Sequence, residues 1–292
     1  MADERKGIQG AVVITGASSG IGAACAQRLD RIGFRVFAGI RNEKDGQALL
    51  QASAGRIAPL LIEVTNEASI KAAADQVARA VGSAGLAGLV NNAGIVVGGP
   101  LEFLPLAEMR KQFEVNVLGQ IAVTQAFLPL LRPARGRIVN MSSIAGRAAF
   151  PFIGPYSASK YAFEAISDAL RIELLPWGIS VSVIEPGDVA TPIWEKSLAA
   201  AHRTAEGFPL QARDLYGPAM DAVAKSAEKT GAAGFPPDHV ARAVEHALTA
   251  GKPKTRYLVG SGVGFRAFLK TVLPDRFFDR LIIRHIGLSG KP

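Results

Sequence analysis

Alternating strand-like and helix-like segments predict an α/β protein: a doubly wound, Rossmann-type, mostly parallel seven-stranded sheet with helices on both faces. Two further observations agree. The apolar, β-branched run Ala11 to Thr15 leads directly into a glycine-rich turn and then a helical pattern, the setting in which such a turn holds an anion. The 292 residues, 49% of them hydrophobic, are ample for one large core.

Taken in order, strands are predicted near 11–15, 35–39, 58–64, 87–91, 136–142, 179–185 and 256–260. Helices are predicted near 20–32, 67–82, 105–131, 155–176 and 237–250. This alternation implies right-handed crossovers between parallel strands. Helices 105–131 and 155–176 carry apolar residues on more than one side (Phe113, Val117, Ile121; Phe163, Ile166, Leu170), so one face covers the sheet and another is free for a second subunit. A homo-oligomer, dimer or tetramer, is expected. Residues 191–237 are Ala-rich and helix-prone, broken at Gly207-Phe208-Pro209, at Gly217-Pro218 and between Gly231 and Pro237. An insertion there reads as a mobile lid over a pocket, with an ordinary surface subdomain as the alternative. The chain is thus expected to be one domain: a cofactor-binding and catalytic core (8–190), a lid (191–237) and a basic tail (262–292).

The chemistry-bearing residues fall at the ends of these elements. In Thr15-Gly16-Ala17-Ser18-Ser19-Gly20-Ile21-Gly22, Gly16 suits a tight turn, Gly20 lets backbone approach a pyrophosphate, and Gly22 lets the helix pack against the strand. Free N–H groups at the helix start would face the anion. Tyr156 and Lys160 lie four residues apart, one helical turn, with Ser143 thirteen residues upstream of Tyr156. A phenol titrates near pH ~10, so a cation on the same helix face is expected to lower its pKa toward neutrality.

The glycine spacing, with Asn91-Asn92-Ala93-Gly94, Asn116, Ser143, Tyr156-x-x-x-Lys160 and Pro186-Gly187 in order, resembles the short-chain dehydrogenase/reductase family over roughly residues 10 to 192. Phe37-Ala38-Gly39-Ile40-Arg41, the Gly-Pro-Leu-Glu run at 99–102 and the arginine-rich end resemble its estradiol and retinol dehydrogenase branch. The resemblance implies hydride transfer between a nicotinamide cofactor and a carbonyl or alcohol, with hydrophobic ketones, aldehydes, steroids or retinoids as the expected substrates. It implies Tyr156 as general acid/base, Lys160 as holder of the nicotinamide ribose, Ser143 as donor to the carbonyl oxygen, and Asn116 as a helix-perturbing relay residue. It also implies a cofactor cradle of Gly16, Ser18, Ser19, Gly20, Ile21, Gly22, Asn92, Ala93 and Gly94, with Asn91 behind it. Glu63 and Val64 would lie at the adenine, and Pro186, Gly187, Val189 and Thr191 at the carboxamide.

Ile40 occupies the slot where NAD-preferring relatives carry Asp, and Arg41 follows. With no carboxylate to repel a 2′-phosphate and a guanidinium ready to fork onto it, NADP(H) is expected and NAD(H) is less favoured. A catalytically idle NADP(H)-binding sensor or scaffold is the alternative function. Glu63 departs from the Asp usual at the adenine end.

Other classes are set aside on composition. MADERKG has no apolar stretch behind it, so no signal peptide is expected, and no apolar run is expected to span a membrane; a cytoplasmic location follows. One cysteine, Cys25, excludes an internal disulfide, and the four His lack ligand spacing, so no metal is expected. Between Lys252 and Pro292 nine basic residues face two acidic ones, nearly the whole formal charge of +8. Arg276, Arg280 and Arg284 recur every four residues among apolar ones. The favoured expectation is that the apolar side packs on the fold; weak peripheral contact with an anionic bilayer is the alternative. Nucleic acid is not expected as a partner, because no aromatic platform accompanies the charge.

Overall fold

The computed structural model describes residues 9–286; the charged start and Lys291 lie outside them. Seven strands form one sheet in the order β3-β2-β1-β4-β5-β6-β7, and every pairing is parallel. They are β1 (Ala11–Ile14), β2 (Arg35–Ile40), β3 (Ile57–Leu61), β4 (Gly88–Asn91), β5 (Arg137–Met141), β6 (Ser180–Pro186) and β7 (Arg256–Val259). All seven predicted strands are present, each within a few residues of its expected bounds.

Eleven α-helices accompany them among the described residues: α1 (Gly20–Arg31), α2 (Glu43–Gln51), α3 (Glu67–Val81), α4 (Leu106–Phe113), α5 (Gly119–Ala134), α6 (Gly154–Glu173), α7 (Ile193–Glu206), α8 (Leu210–Ala233), α9 (Asp238–Thr249), α10 (Val263–Val272) and α11 (Asp275–Ile286). Alternate residues of each strand face opposite layers. Val12 and Ile14 pack with Cys25, Leu29, Val240 and Val244 under α1 and α9. Val13 packs with Val77, Phe127 and Leu131 under α3 and α5.

Several expectations need correction. The helix expected at 105–131 is interrupted by a π-turn at Glu114–Leu118. It then continues through Pro129 and Pro133 to Ala134. Helix α2 is absent from the sequence-based assignment; its start is set by Asn42, whose Oδ1 accepts from Asp45 N at 3.0 Å, a standard N-cap. Gly217-Pro218 does not break α8, which ends at Ala233 within the break expected between Gly231 and Pro237. Pro218 costs the helix one hydrogen bond to the carbonyl of exposed Asp214, which solvent can satisfy. Moreover, residues Leu106–Ala134 are by length and hydropathy sufficient to cross a bilayer, contrary to the expectation of no such run. Here that stretch covers the sheet, with Val123, Phe127 and Leu131 fully buried.

Candidate functional site

The sheet order reverses between β1 and β4, and the crevice outside the carboxyl ends of such strands is where ligands bind in this architecture. The turn after β1 lines it. Gly16 takes φ 64° and a Cβ there would stand 2.8 Å from Ala93 Cα. A Cβ on Gly22 would collide with the Gly16 carbonyl and stand 2.6 Å from Asn92 Nδ2. Asn92 Nδ2 donates to the Thr15 and Gly16 carbonyls, each at 3.0 Å. Thr15 Oγ1 accepts from the Asn92 and Ala93 N–H groups at 2.9 and 3.0 Å. The turn and the loop after β4 are therefore one rigid unit, and Thr15 is a member that the motif alone does not mark.

Helix α1 begins behind this turn with Ser19 at its N-cap, with no side-chain cap bond and no acidic residue in the first turn. Donors at that end remain available to an anion. A diphosphate therefore fits the cradle. The Ser19 hydroxyl is spared from capping, and Ser18 and Ile21 are half-buried beside it. Gly20 approaches the next loop, since a Cβ there would meet Thr191 Cβ at 3.1 Å.

At the end of β2, Ile40 is 2% exposed and packs inward, while Arg41 is exposed and has no ion-pair partner among the described residues. The Glu63 carboxylate engages its own loop. Its Oε1 accepts from Thr65 N and Oγ1 at 3.3 and 3.1 Å, and Val64 is buried. Asn91 is buried, and its Nδ2 donates to Thr124 Oγ1 and Asn140 Oδ1 at 2.8 and 2.9 Å. Gly94 faces Asn116, and a Cβ at Gly94 would stand 3.4 Å from Asn116 Oδ1.

Asn116 sits inside the π-turn. Its Oδ1 accepts from Ile95 N at 2.9 Å, and its Nδ2 donates to Ile95 O at 3.0 Å and Ser159 Oγ at 3.2 Å. Gln112 and Gln120, unforeseen from sequence, fasten the same loop through Val97 N at 2.7 Å and Ala93 O at 2.7 Å. The wider turn lets three polar side chains of one helical run aim at one loop.

Ser143 follows β5; its Oγ caps a short 3₁₀ turn by accepting from Ala145 N at 3.1 Å, so the hydroxyl serves as the cap that its turn position suggests and also meets Tyr156. Tyr156 lies in the first turn of α6 and Lys160 one turn on. The Lys160 ammonium is 5.7 Å from the Tyr156 ring centroid and donates to Met141 O at 2.7 Å.

The electrostatics correct the sequence argument. Burial raises the Tyr156 pKa, and only the hydrogen bond with Ser143 works against it. Lys160 does not produce the expected lowering. Burial instead depresses Lys160 to about 8, opposed by the charge of Glu164. In the protein alone the phenol keeps its proton at neutral pH. Glu164, one turn beyond Lys160, accepts from Arg256 Nε at 3.2 Å. Arg256 also meets fully buried Glu185 at 3.3 Å, and Arg147 Nη2 donates to Glu185 at 2.9 Å. This network behind the site had no signal in the sequence, since its members are scattered over β6, β7, α6 and the loop after β5.

The loop after β6 closes the crevice. Gly187 N donates to Val259 O at 2.9 Å. Buried Val189 bridges Phe235, and its carbonyl accepts from Trp194 Nε1 at 2.8 Å. Beside Thr191 a cleft of about 490 Å³ opens between α7 and α8. On the Tyr156 side, Phe103 contacts Phe208 and Tyr216 at centroid distances of 6.5 and 5.9 Å. Phe152, held at φ 63°, contacts Tyr216 at 6.2 Å, and Tyr216 donates to Glu102 at 2.7 Å. Aromatic rings from the 98–104 loop and from the 191–237 segment thus meet in one cluster.

With this geometry in view, the profile described as short chain dehydrogenase matches residues 10–201. The chain belongs to the short-chain dehydrogenase family. Its relatives support the placement. The NADPH-dependent 3-dehydrocapnine reductase of Ornithobacterium rhinotracheale is 35% identical over 280 residues, 94% of this chain and 96% of that one. The 17-beta-hydroxysteroid dehydrogenase type 6 of Bos taurus is 38% identical over 278 residues, 94% of this chain and 87% of the relative. A solved short-chain dehydrogenase from Streptomyces avermitilis superposes with a TM-score of 0.74 at 26% identity, covering 99% of this chain and 100% of that one. Within the family the chain falls on the branch of hydroxysteroid and retinol dehydrogenases. It is an oxidoreductase of this family.

Proposed function

We propose that this short-chain dehydrogenase uses NADP(H) to interconvert a hydrophobic ketone or aldehyde and its alcohol. The observation that carries the reading is the meeting of Ser143, Tyr156 and Lys160 at the edge of a crevice whose other wall is the glycine turn. NADP(H), when bound, supplies or takes the hydride.

The chain's own residues handle the proton. A phenol kept protonated by burial is suited to donate to the substrate oxygen in the reductive direction. The Ser143 hydroxyl stands beside it as a second donor to the oxygen as charge gathers there. Lys160 is the only cation placed one turn behind Tyr156 among the described residues of α6. Its depressed pKa means that it regains full charge most readily when further hydrogen-bond acceptors, such as ribose hydroxyls, face it. Asn116 fastens the loop against which a nicotinamide would rest.

For the cofactor, the exposed Arg41, without an ion-pair partner among the described residues, beside an inward Ile40 favours a 2′-phosphate. The NADPH-dependent relative supports the same choice. For the substrate, the ring cluster of Phe103, Phe152, Phe208 and Tyr216 offers an apolar wall, in keeping with a relative named for a hydroxysteroid. Exposed Leu106, Leu118, Ile172, Leu175 and Trp177 suit a second copy of the chain covering α4 to α6.

The experiment compares NADPH and NADH oxidation with lipophilic ketones and aldehydes by wild type and Tyr156→Phe. NADPH is expected to be the better donor. The variant should bind it normally and lose at least roughly a hundredfold in turnover. Turnover kept by Tyr156→Phe would refute the assignment of the proton donor.

A further inference from the structure

The two C-terminal helices leave an unaccounted surface. Helix α10 meets the body of the protein through buried Val263 and Ala267. Phe265, Phe268 and Val272 follow at spacings of three and four, so they share the opposite side of that helix. They are 64%, 59% and 52% exposed. Helix α11 buries Phe278, while Phe277, Leu281 and Ile283 are exposed. Arg276, Arg280 and Arg284 lie on the side of α11 turned from Phe278. Part of the apolar surface packs on the fold as expected, through Val263, Ala267 and Phe278, and the rest stays exposed.

The charges nearby divide into two kinds. Lys270 is paired with Asp275 at 2.7 Å, and Arg266 with Asp188 at 3.1 Å. Arg276, Arg280 and Arg284 have no ion-pair partner among the described residues. Only Leu273 and Pro274 separate the helices, and on α11 the Arg280 guanidinium lies 5.6 Å from the ring centroid of exposed Phe277, so aromatic and cationic groups adjoin there.

We propose that α10 and α11 dock the protein on an anionic lipid surface. Phe265, Phe268, Val272 and Phe277 enter the boundary between headgroups and acyl chains, and the three arginines meet lipid phosphates. Charge complementarity selects this occupant. A second copy that paired its α11 with this α11 about a two-fold axis would set guanidiniums against guanidiniums, whereas an anionic bilayer supplies counter-charge along the whole row.

Flotation of the full-length chain with phosphatidylcholine vesicles, with and without phosphatidylglycerol, tests the proposal. The wild type is expected to float with the anionic vesicles and to be released by added salt. Phe265→Ser/Phe268→Ser and Arg276→Glu/Arg280→Glu/Arg284→Glu should each lower the bound fraction roughly tenfold or more. Circular dichroism and thermal unfolding establish that each variant is folded; a variant that is not is replaced by Phe268→Ser or Arg280→Glu. Three results would overturn the proposal: no flotation with anionic vesicles, flotation indifferent to these substitutions, or a wild-type assembly that the phenylalanine changes dissociate without altering flotation. The last would give the stripe to a second copy.

Discussion

Lys160 shows how much of this site's behaviour is decided by a single residue's surroundings. Burial holds its ammonium at about 8, against 10.5 for the free side chain, with Glu164 opposing the shift. Between these values the folded protein binds fewer protons than the unfolded chain, so stability rises with pH across that window. Below about 8 the folded state carries the full cost of a buried charge. In denaturant titrations without cofactor, wild type should gain on the order of 2 kcal/mol over Lys160→Met between about pH 7 and 9.5; equal gains would mean that Lys160 is not buried as described. The Tyr156–Lys160 spacing is legible from sequence because one helical turn fixes two side chains on one face. The direction of the Tyr156 shift is not, since it depends on how much protein surrounds the ring. Glu63 shows the same limit: its position is foreseeable, and its engagement with Thr65 is not.

Among elements, the aromatic cluster joins the segment of α7 and α8 to the substrate side of the crevice. Tyr216 contributes a ring to Phe103 and Phe152 and a hydroxyl to Glu102. Tyr216→Phe keeps the ring contacts and removes one charge-assisted hydrogen bond, weakened there by competing water. If this segment closes over substrate, KM for a lipophilic ketone should rise severalfold with little change in kcat. An unchanged KM, also in Tyr216→Ala, would remove the closing role. Strands are legible because buried parallel strands are short unbroken apolar runs. Helix α2 is less so: nine residues including Gly46 carry little periodic signal, and its decisive cap at Asn42 resembles any loop residue. Pro218 misleads as a break because the carbonyl it orphans belongs to exposed Asp214 and stays hydrated, which lowers the cost of a proline inside a helix without removing it. Helices α10 and α11 carry apolar residues on both sides, so periodicity alone does not say which side is covered.

Across the whole molecule, Cys25 reports on the integrity of the sheet layer that it supports. It is fully buried, and burial, aided by the charge of Asp238, pushes its thiol up to about 12. Labelling by a thiol reagent, followed by mass spectrometry, should therefore proceed only through opening of the chain and track global unfolding in denaturant. Rapid labelling of the native protein would show that the layer under α1 and α9 is looser than the packing implies. The π-turn reaches as far. Removing a single residue from 114–118 would screw everything downstream about the helix axis by roughly 100°. Gln120 and Thr124 would swing off their partners, and Phe127 and Leu131 would leave the core together. At this place a deletion is a heavier lesion than any exchange of one amino acid for another, because what the segment encodes is a count.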